Sequence, residues 1–80
     1  MNFEATIRIE NTFYTFIFTE IKSSCRLKYF VRTKTQQGEN IFFEIIQIPG
    51  EDWMVVPPIP DWISAHERDL IALIQIHRTQ

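Results

Sequence analysis

Residues 3–18 read FEATIRIENTFYTFIF, two runs in which every second residue is apolar. This alternation is typical of strands with one buried face. A two-residue turn at positions 10–11 brings the two apolar faces together, as one buried side requires. The register then gives three apolar pairs, Phe3 with Phe18, Ala5 with Phe16 and Ile7 with Tyr14. The stretch predicts an antiparallel hairpin, and it fixes the side of the sheet on which the core lies.

Further strands follow this hairpin. The segment 40–48 is apolar on both parities, which indicates a central strand or a second covered face, so either face could meet the helix. Pro49-Gly50 has the residues that a type II turn requires. The predicted strands cover residues 2–10, 12–21, 25–35, 40–48 and 53–56.

The C-terminal segment predicts a helix over residues 62–77. Spacing at 100° per residue puts seven side chains on one arc, with Arg68, Ala72 and Gln75 opposite. Asp61 is the predicted N-cap, and Ser64 with Glu67 has the spacing of a capping box. Residues 73–78 also alternate as a strand would, but the helix explains more of the segment. The arc consists of Trp62, Ile63, His66, Leu70, Leu73, Ile74 and His77.

The segment 57–60, Pro-Pro-Ile-Pro, allows two interpretations. Its P-x-x-P spacing matches the ligands of proline-binding grooves. Its apolar neighbours, including Trp53 and Trp62, and its place between a strand and a helix favour an extended structural connector.

These elements together predict an α+β fold. We expect an antiparallel β-meander of four to five strands, with one C-terminal amphipathic helix packed on one face, in a single domain over residues 1–80. The 80-residue chain is 45% hydrophobic and 14% aromatic, well above the content of disordered chains. The N-terminus lacks the pattern of a signal peptide, and no stretch can span a bilayer. We therefore expect a soluble, cytoplasmic domain.

The alternate parity of the third strand is the candidate interaction surface. It combines basic residues with an aromatic ring, and rings from neighbouring strands extend it. Such a face could stack bases and hold phosphates, as single-strand binders do. The competing interpretation is a solvated face neutralised by Glu44 and by Glu10 or Glu20. The predicted residues are Phe13, Arg26, Lys28, Phe30, Arg32, Lys34 and Phe42.

The same face also carries apolar residues that would form an exposed strip, which usually marks an interface. A symmetric homodimer is the commonest way to cover one. The strip consists of Phe13, Ile17, Ile21, Phe30, Phe42 and Ile46.

Catalytic and cofactor motifs are not found in the sequence. Cys25 lies on an apolar parity, where a buried structural thiol is the ordinary case. His66 and His77 are about 16 Å apart along a helix, too far to share a metal. We therefore expect no enzyme activity, no cofactor and no metal.

The sequence favours a small non-enzymatic domain that self-associates or binds another protein through its helix-free sheet face. The alternative is a single-stranded nucleic-acid binder. The formal charge of −2 opposes this alternative, and it gives no reason to expect a membrane partner.

Overall fold

The computed structural model describes residues 2–23, 26–50 and 52–79. Five strands form one antiparallel sheet in the order β1-β2-β3-β4-β5, curved into a half-barrel, and two helical segments follow. This confirms the predicted α+β class and the meander. The elements are β1 (Asn2–Ile9), β2 (Thr12–Ser23), β3 (Arg26–Lys34), β4 (Asn40–Gln47), β5 (Trp53–Val55), α1 (Asp61–Ser64) and α2 (Glu67–Arg78).

The β1–β2 hairpin has the predicted register, with Phe3 opposite Phe18 and Ile7 opposite Tyr14. Glu10 and Asn11 have φ values of 50° and 63°, so both turn residues are left-handed. This is the conformation of a type I′ turn, whose twist matches that of the two strands it joins. The predicted two-residue turn and the face that it fixes are therefore confirmed.

One face of the sheet carries the core. It consists of the odd-numbered residues of β1, β3, β4 and β5 and the even-numbered residues of β2, and we call it the inner face. The segment 40–48 is apolar on both parities, and the sequence did not show which parity meets the core. In the structure β4 contributes Phe43 and Ile45, its odd-numbered residues, to the core. Among the described residues, twelve buried apolar ones form one cluster: Ile9, Phe16, Phe18, Tyr29, Val31, Phe43, Ile45, Trp53, Val55, Ile63, Leu70 and Ile74.

The prediction of one continuous helix over residues 62–77 is wrong. One turn, α1, ends at Ser64, and α2 begins at Glu67 after His66 leaves helical geometry with φ −114° and ψ 20°. At this break the Glu67 carboxylate accepts a hydrogen bond from the Val55 backbone N–H at 3.0 Å. That bond attaches the start of α2 to β5. Residues 73–78 are helical, which excludes the final-strand alternative.

The predicted caps are also wrong. The N-cap of α1 is Pro60, whose carbonyl accepts the N–H groups of Ile63 and Ser64, so the helix starts one residue early and includes Asp61. No side-chain cap bond forms at either helix. Ser64 lies inside α1 and Glu67 is bound to β5, so the capping box cannot form.

The strand ends differ slightly from the predicted ones. β1 ends at Ile9 because Glu10 is left-handed, and β3 ends at Lys34 because the Thr35 carbonyl accepts Gly38 N–H in the following turn. β2 continues to Ser23 because Lys22 pairs with Leu27. β4 ends at residue 47 and β5 at residue 55, one residue early in each case, a difference typical of element termini. The predicted start of the third strand, Cys25, lies outside the described residues.

The segment 56–60 joins β5 to α1. Val56 N–H donates to the Glu44 carbonyl at 2.9 Å, and the peptide bond between Pro57 and Pro58 is cis. Trp53, before the segment, is buried, while Trp62, after it, is half-buried with its ring 4.7 Å from that of Tyr14. The run thus connects two elements that both contact the core, in the place expected of a structural connector.

Candidate interaction face

On the side of the sheet opposite the core, the described residues place no helix. We call this side the outer face: the even-numbered residues of β1, β3, β4 and β5 and the odd-numbered residues 13–21 of β2. Strand parity brings all seven predicted residues to this face, since successive side chains of a strand point to opposite sides. They lie along the whole length of β3, however. Arg26 and Lys34 are at opposite ends, about 26 Å apart at ~3.3 Å per residue.

Two aromatic side chains of the outer face are open to solvent. Phe13 is 70% exposed and Phe42 is 54% exposed. Phe30 is half-buried and stacks on Phe42, with ring centroids 5.6 Å apart and planes inclined by 22°. Phe42 lies directly opposite Arg32 on β3, and Phe13 lies opposite Arg8 on β1. Each exposed ring therefore has a cationic neighbour on the adjacent strand.

Charge is distributed unevenly between this face and the rest of the chain. The outer face carries five basic residues and two acidic ones, a formal charge of +3, whereas the whole chain has −2. The remainder therefore carries −5. The weak total charge hides a molecule with one basic side. The five basic residues are Arg8, Arg26, Lys28, Arg32 and Lys34, and the two acidic ones are Glu4 and Glu44.

Only part of the predicted neutralisation occurs. Lys28 and Glu44 form an ion pair at 2.8 Å, with both side chains about 40% exposed. Within the part of the chain that the structure describes, no ion pair involves Arg26, Arg32 or Lys34. Three of the four predicted basic residues thus keep their charge available to a partner.

The expectation that Glu10 or Glu20 neutralises this face is not met. Glu10 is in the hairpin turn, and Glu20 lies on the inner face by strand parity. There the Glu20 carboxylate accepts hydrogen bonds from the Tyr29 hydroxyl and the Arg78 guanidinium, both at 3.0 Å. This cluster joins the C-terminal end of α2 to β2 and β3.

Tyr29 at the centre of that cluster is fully buried. Burial raises the pKa of its hydroxyl, because the phenolate is costly to place in a low-dielectric interior; the hydrogen bond from Arg78 acts in the opposite direction, and Glu20 adds to the rise. The cluster therefore has a structural role, which is to attach the C-terminal end of α2 to the sheet.

A shallow groove opens between β2 and β3 on the outer face. Their pairing ends at Ile17 and Arg32, and beyond this point the Thr33 hydroxyl donates to the Thr15 carbonyl at 2.9 Å. Phe13, Ile17, Arg32 and Lys34 line the groove together with Thr15. It therefore places an exposed ring and an apolar side chain next to two cations that have no ion-pair partner among the described residues. This combination suits a flat apolar group that carries negative charge.

Arg8 is the basic residue of this face that was not among the predicted seven. Its guanidinium donates to the Asn11 side chain at 2.9 Å, beside the exposed ring of Phe13. Combining the parity of the first strand with that of the second would have placed Arg8 and Phe13 on one face, because the hairpin register pairs them.

The residues considered for catalysis are engaged in local contacts. His66 Nδ1 lies 3.2 Å from an Asp69 carboxylate oxygen, and the His77 ring stacks on Phe3 with centroids 3.8 Å apart. Cys25 lies outside the described residues. Over residues 2–23, 26–50 and 52–79, no three His, Cys, Asp or Glu side chains come close enough to hold a metal ion.

Comparison of the chain with protein-family models, curated proteins and solved structures gives no match. Within the described ranges, neither helix has the length and apolar character needed to cross a membrane.

Proposed function

We propose that this chain is a non-enzymatic binding domain whose outer face holds an acidic partner protein. The observation that supports this is the pairing of exposed Phe13 and Phe42 with a face of charge +3 that no helix covers. Exposed aromatic and arginine side chains supply much of the binding energy in protein interfaces. Complementary charge adds specificity and a faster association rate.

The charge of the outer face favours another protein over a second copy at this surface. Two copies stacked through their outer faces would lie about 10 Å apart, the ordinary separation of packed sheets. Each would then place a formal +3 against +3. Like charges across an interface cost free energy, whereas an acidic partner turns the same charges into attraction. Face-to-face self-association is therefore the weaker proposal.

Affinity capture with matched variants tests this proposal. Phe42→Ala removes a ring that is 54% exposed on the outer face, and Ile76→Ala removes a side chain that is 52% exposed on α2. Arg32→Ala and Arg68→Ala form a second pair, with one exposed arginine on the face and one on the helix. A specific partner should be retained by both helix variants and lost from both face variants. Partners captured equally by all four would contradict the proposal.

Single-stranded nucleic acid is a second candidate, and the groove between β2 and β3 favours it. Phe13 offers an exposed ring on which a base could stack. Arg32 and Lys34 line the same groove, where they could contact phosphates of the same nucleic-acid strand. Stacking on an aromatic side chain contributes about 1–3 kcal/mol per base, largely independent of sequence.

Titration with a fluorescently labelled oligonucleotide at two salt concentrations tests this candidate. Contacts to about two phosphates should lower the association constant as salt rises, with a slope near −1.4 in a log–log plot. Phe13→Ala should weaken binding about tenfold without changing that slope. Absence of binding at low salt, or an affinity that does not vary with salt, would exclude phosphate contacts.

A cytoplasmic location and the absence of catalytic activity stay predictions from the sequence.

A further inference from the structure

The side of β1 that faces away from β2 is an edge eight residues long, and we call it the outer edge of β1. In the part of the chain that the structure describes, no strand pairs with it. In the two-residue hairpin, Ile9 and Thr12 form the hydrogen-bonded pair that closes the turn, so odd-numbered residues of β1 bond to β2. The backbone N–H and C=O groups of Glu4, Thr6 and Arg8 therefore point away from the sheet. Unpaired groups of this kind are a template for another strand.

The opposite edge of the sheet is protected, and the β1 edge is not. β5 has only three residues, and the Glu67 carboxylate takes the outward N–H of Val55. Among the described residues no backbone or side-chain group bonds to the outer edge of β1. Phe3, Ala5 and Ile7 on its inner side are only half-buried. The apolar surface of the inner face thus continues up to the open edge.

We propose that β1 pairs in antiparallel orientation with β1 of a second copy, forming a two-fold symmetric dimer with one continuous ten-stranded sheet. The sequence of β1 is self-complementary when the axis passes through Thr6. Glu4 then lies opposite Arg8 of the partner copy, and Arg8 lies opposite its Glu4. On the inner side Ala5 meets Ile7, which extends the apolar face across the junction.

This register satisfies the backbone as well as the side chains. Three pairs across the junction use backbone N–H and C=O groups that point away from β2: Glu4 with Arg8, Thr6 with Thr6, and Arg8 with Glu4. At two bonds for each pair, this register gives roughly six backbone hydrogen bonds. Moving the axis to Ala5 pairs Glu4 with Thr6 and loses both ion pairs. Moving it to Ile7 places Glu4 against Glu10, a like-charge pair. Charge complementarity therefore selects the axis at Thr6 and a second copy of this chain as the occupant.

Charge reversal with rescue tests the dimer by sedimentation from low to high micromolar concentration. Glu4→Lys and Arg8→Glu each put like charges opposite one another twice, and each should raise the dimer dissociation constant roughly tenfold or more. The double variant Glu4→Lys with Arg8→Glu restores opposite charges and should return the constant to near the wild-type value. Arg68→Glu, a charge reversal on α2 beside β5 at the opposite edge of the sheet, should leave it unchanged.

Thr6→Pro provides an independent variant, since proline is tolerated on an edge strand where the lost N–H faces solvent. It should retain the circular dichroism of the fold and abolish the dimer. A wild-type chain that stays monomeric at high micromolar concentration overturns the proposal. So does a double variant no tighter than the single ones, or a folded Thr6→Pro variant that still dimerises. Thr6→Pro changes neither a charge nor an aromatic ring of the outer face, so partner capture by this variant is a readout separate from the dimer.

Discussion

At the scale of single residues, strand parity decides which side chains build the core and which are offered to a partner. Tyr29 and Phe30 are neighbours in β3, yet Tyr29 is fully buried against Glu20 while Phe30 stacks on exposed Phe42. The seven outer-face residues could be predicted because a period of two leaves no freedom once the register is known. Glu44 was predicted to neutralise part of their charge, but the basic residue that it binds was not, because Phe30 lies directly opposite Glu44 and Lys28 reaches it through a side-chain conformation that no sequence pattern encodes.

Phe16 and Phe42 give a test of that difference between residues of one type. Phe16→Ala should lower the free energy of unfolding by about 3–5 kcal/mol, because its ring is fully buried and a cavity would remain. Phe42→Ala should change it by less than about 1 kcal/mol, because the ring is largely in solvent already. Urea unfolding followed by circular dichroism measures both. Equal losses would mean that the outer face is covered in the folded chain.

Tyr29 should make the stability fall at alkaline pH. Burial raises the pKa of its hydroxyl above the ordinary value near 10, so the folded state keeps a proton that the unfolded state has lost. This contribution is fully present below pH ~10 and is lost as the pH rises through the raised pKa. Urea midpoints of wild type and Tyr29→Phe, compared from neutral to strongly alkaline pH, measure it. The variant should lose less stability over the alkaline range, and parallel curves would contradict the assignment.

At the scale of elements, alternation predicts strands well and helix breaks poorly. The hairpin register followed from two alternating runs that can bury only one way. The break at Ala65 and His66 had no such signal, since the segment 61–70 contains neither proline nor glycine. Ile63, Leu70 and Ile74 lie on one arc in a continuous helix, and all three are buried in the interrupted one. At the interruption Glu67 bonds to Val55 of β5, a contact between two elements that no local pattern encodes.

The hairpin turn contains a residue whose replacement by glycine should stabilise the fold. Glu10 has φ 50°, a left-handed conformation unfavourable for a residue with Cβ, so Glu10→Gly should raise the free energy of unfolding by roughly 0.5–1 kcal/mol. Glu39→Gly, in a loop position without positive φ, should instead lower it, because glycine there only adds freedom to the unfolded chain. Thermal or urea unfolding of the two variants gives opposite signs if the type I′ turn is correct.

At the scale of the whole molecule, the sequence predicted the fold class but gave a misleading view of the charge. A total of −2 suggested a surface with little preference for polyanions. Sorting the charged residues by strand parity would have shown the +3 of the outer face, because Arg8 and the basic residues of β3 fall on the same side. The groove between β2 and β3 could not have been found in this way, because it depends on where the pairing of the two strands stops.

The separation of a +3 face from a −5 remainder also makes this chain an electric dipole, with consequences before any contact forms. We expect the field of an acidic partner of the proposed kind to turn the molecule so that its outer face approaches first. Encounters are then productive more often than random orientation allows. Stopped-flow mixing of the chain with such an acidic partner should show an association rate that falls steeply with ionic strength, while the dissociation rate stays nearly constant.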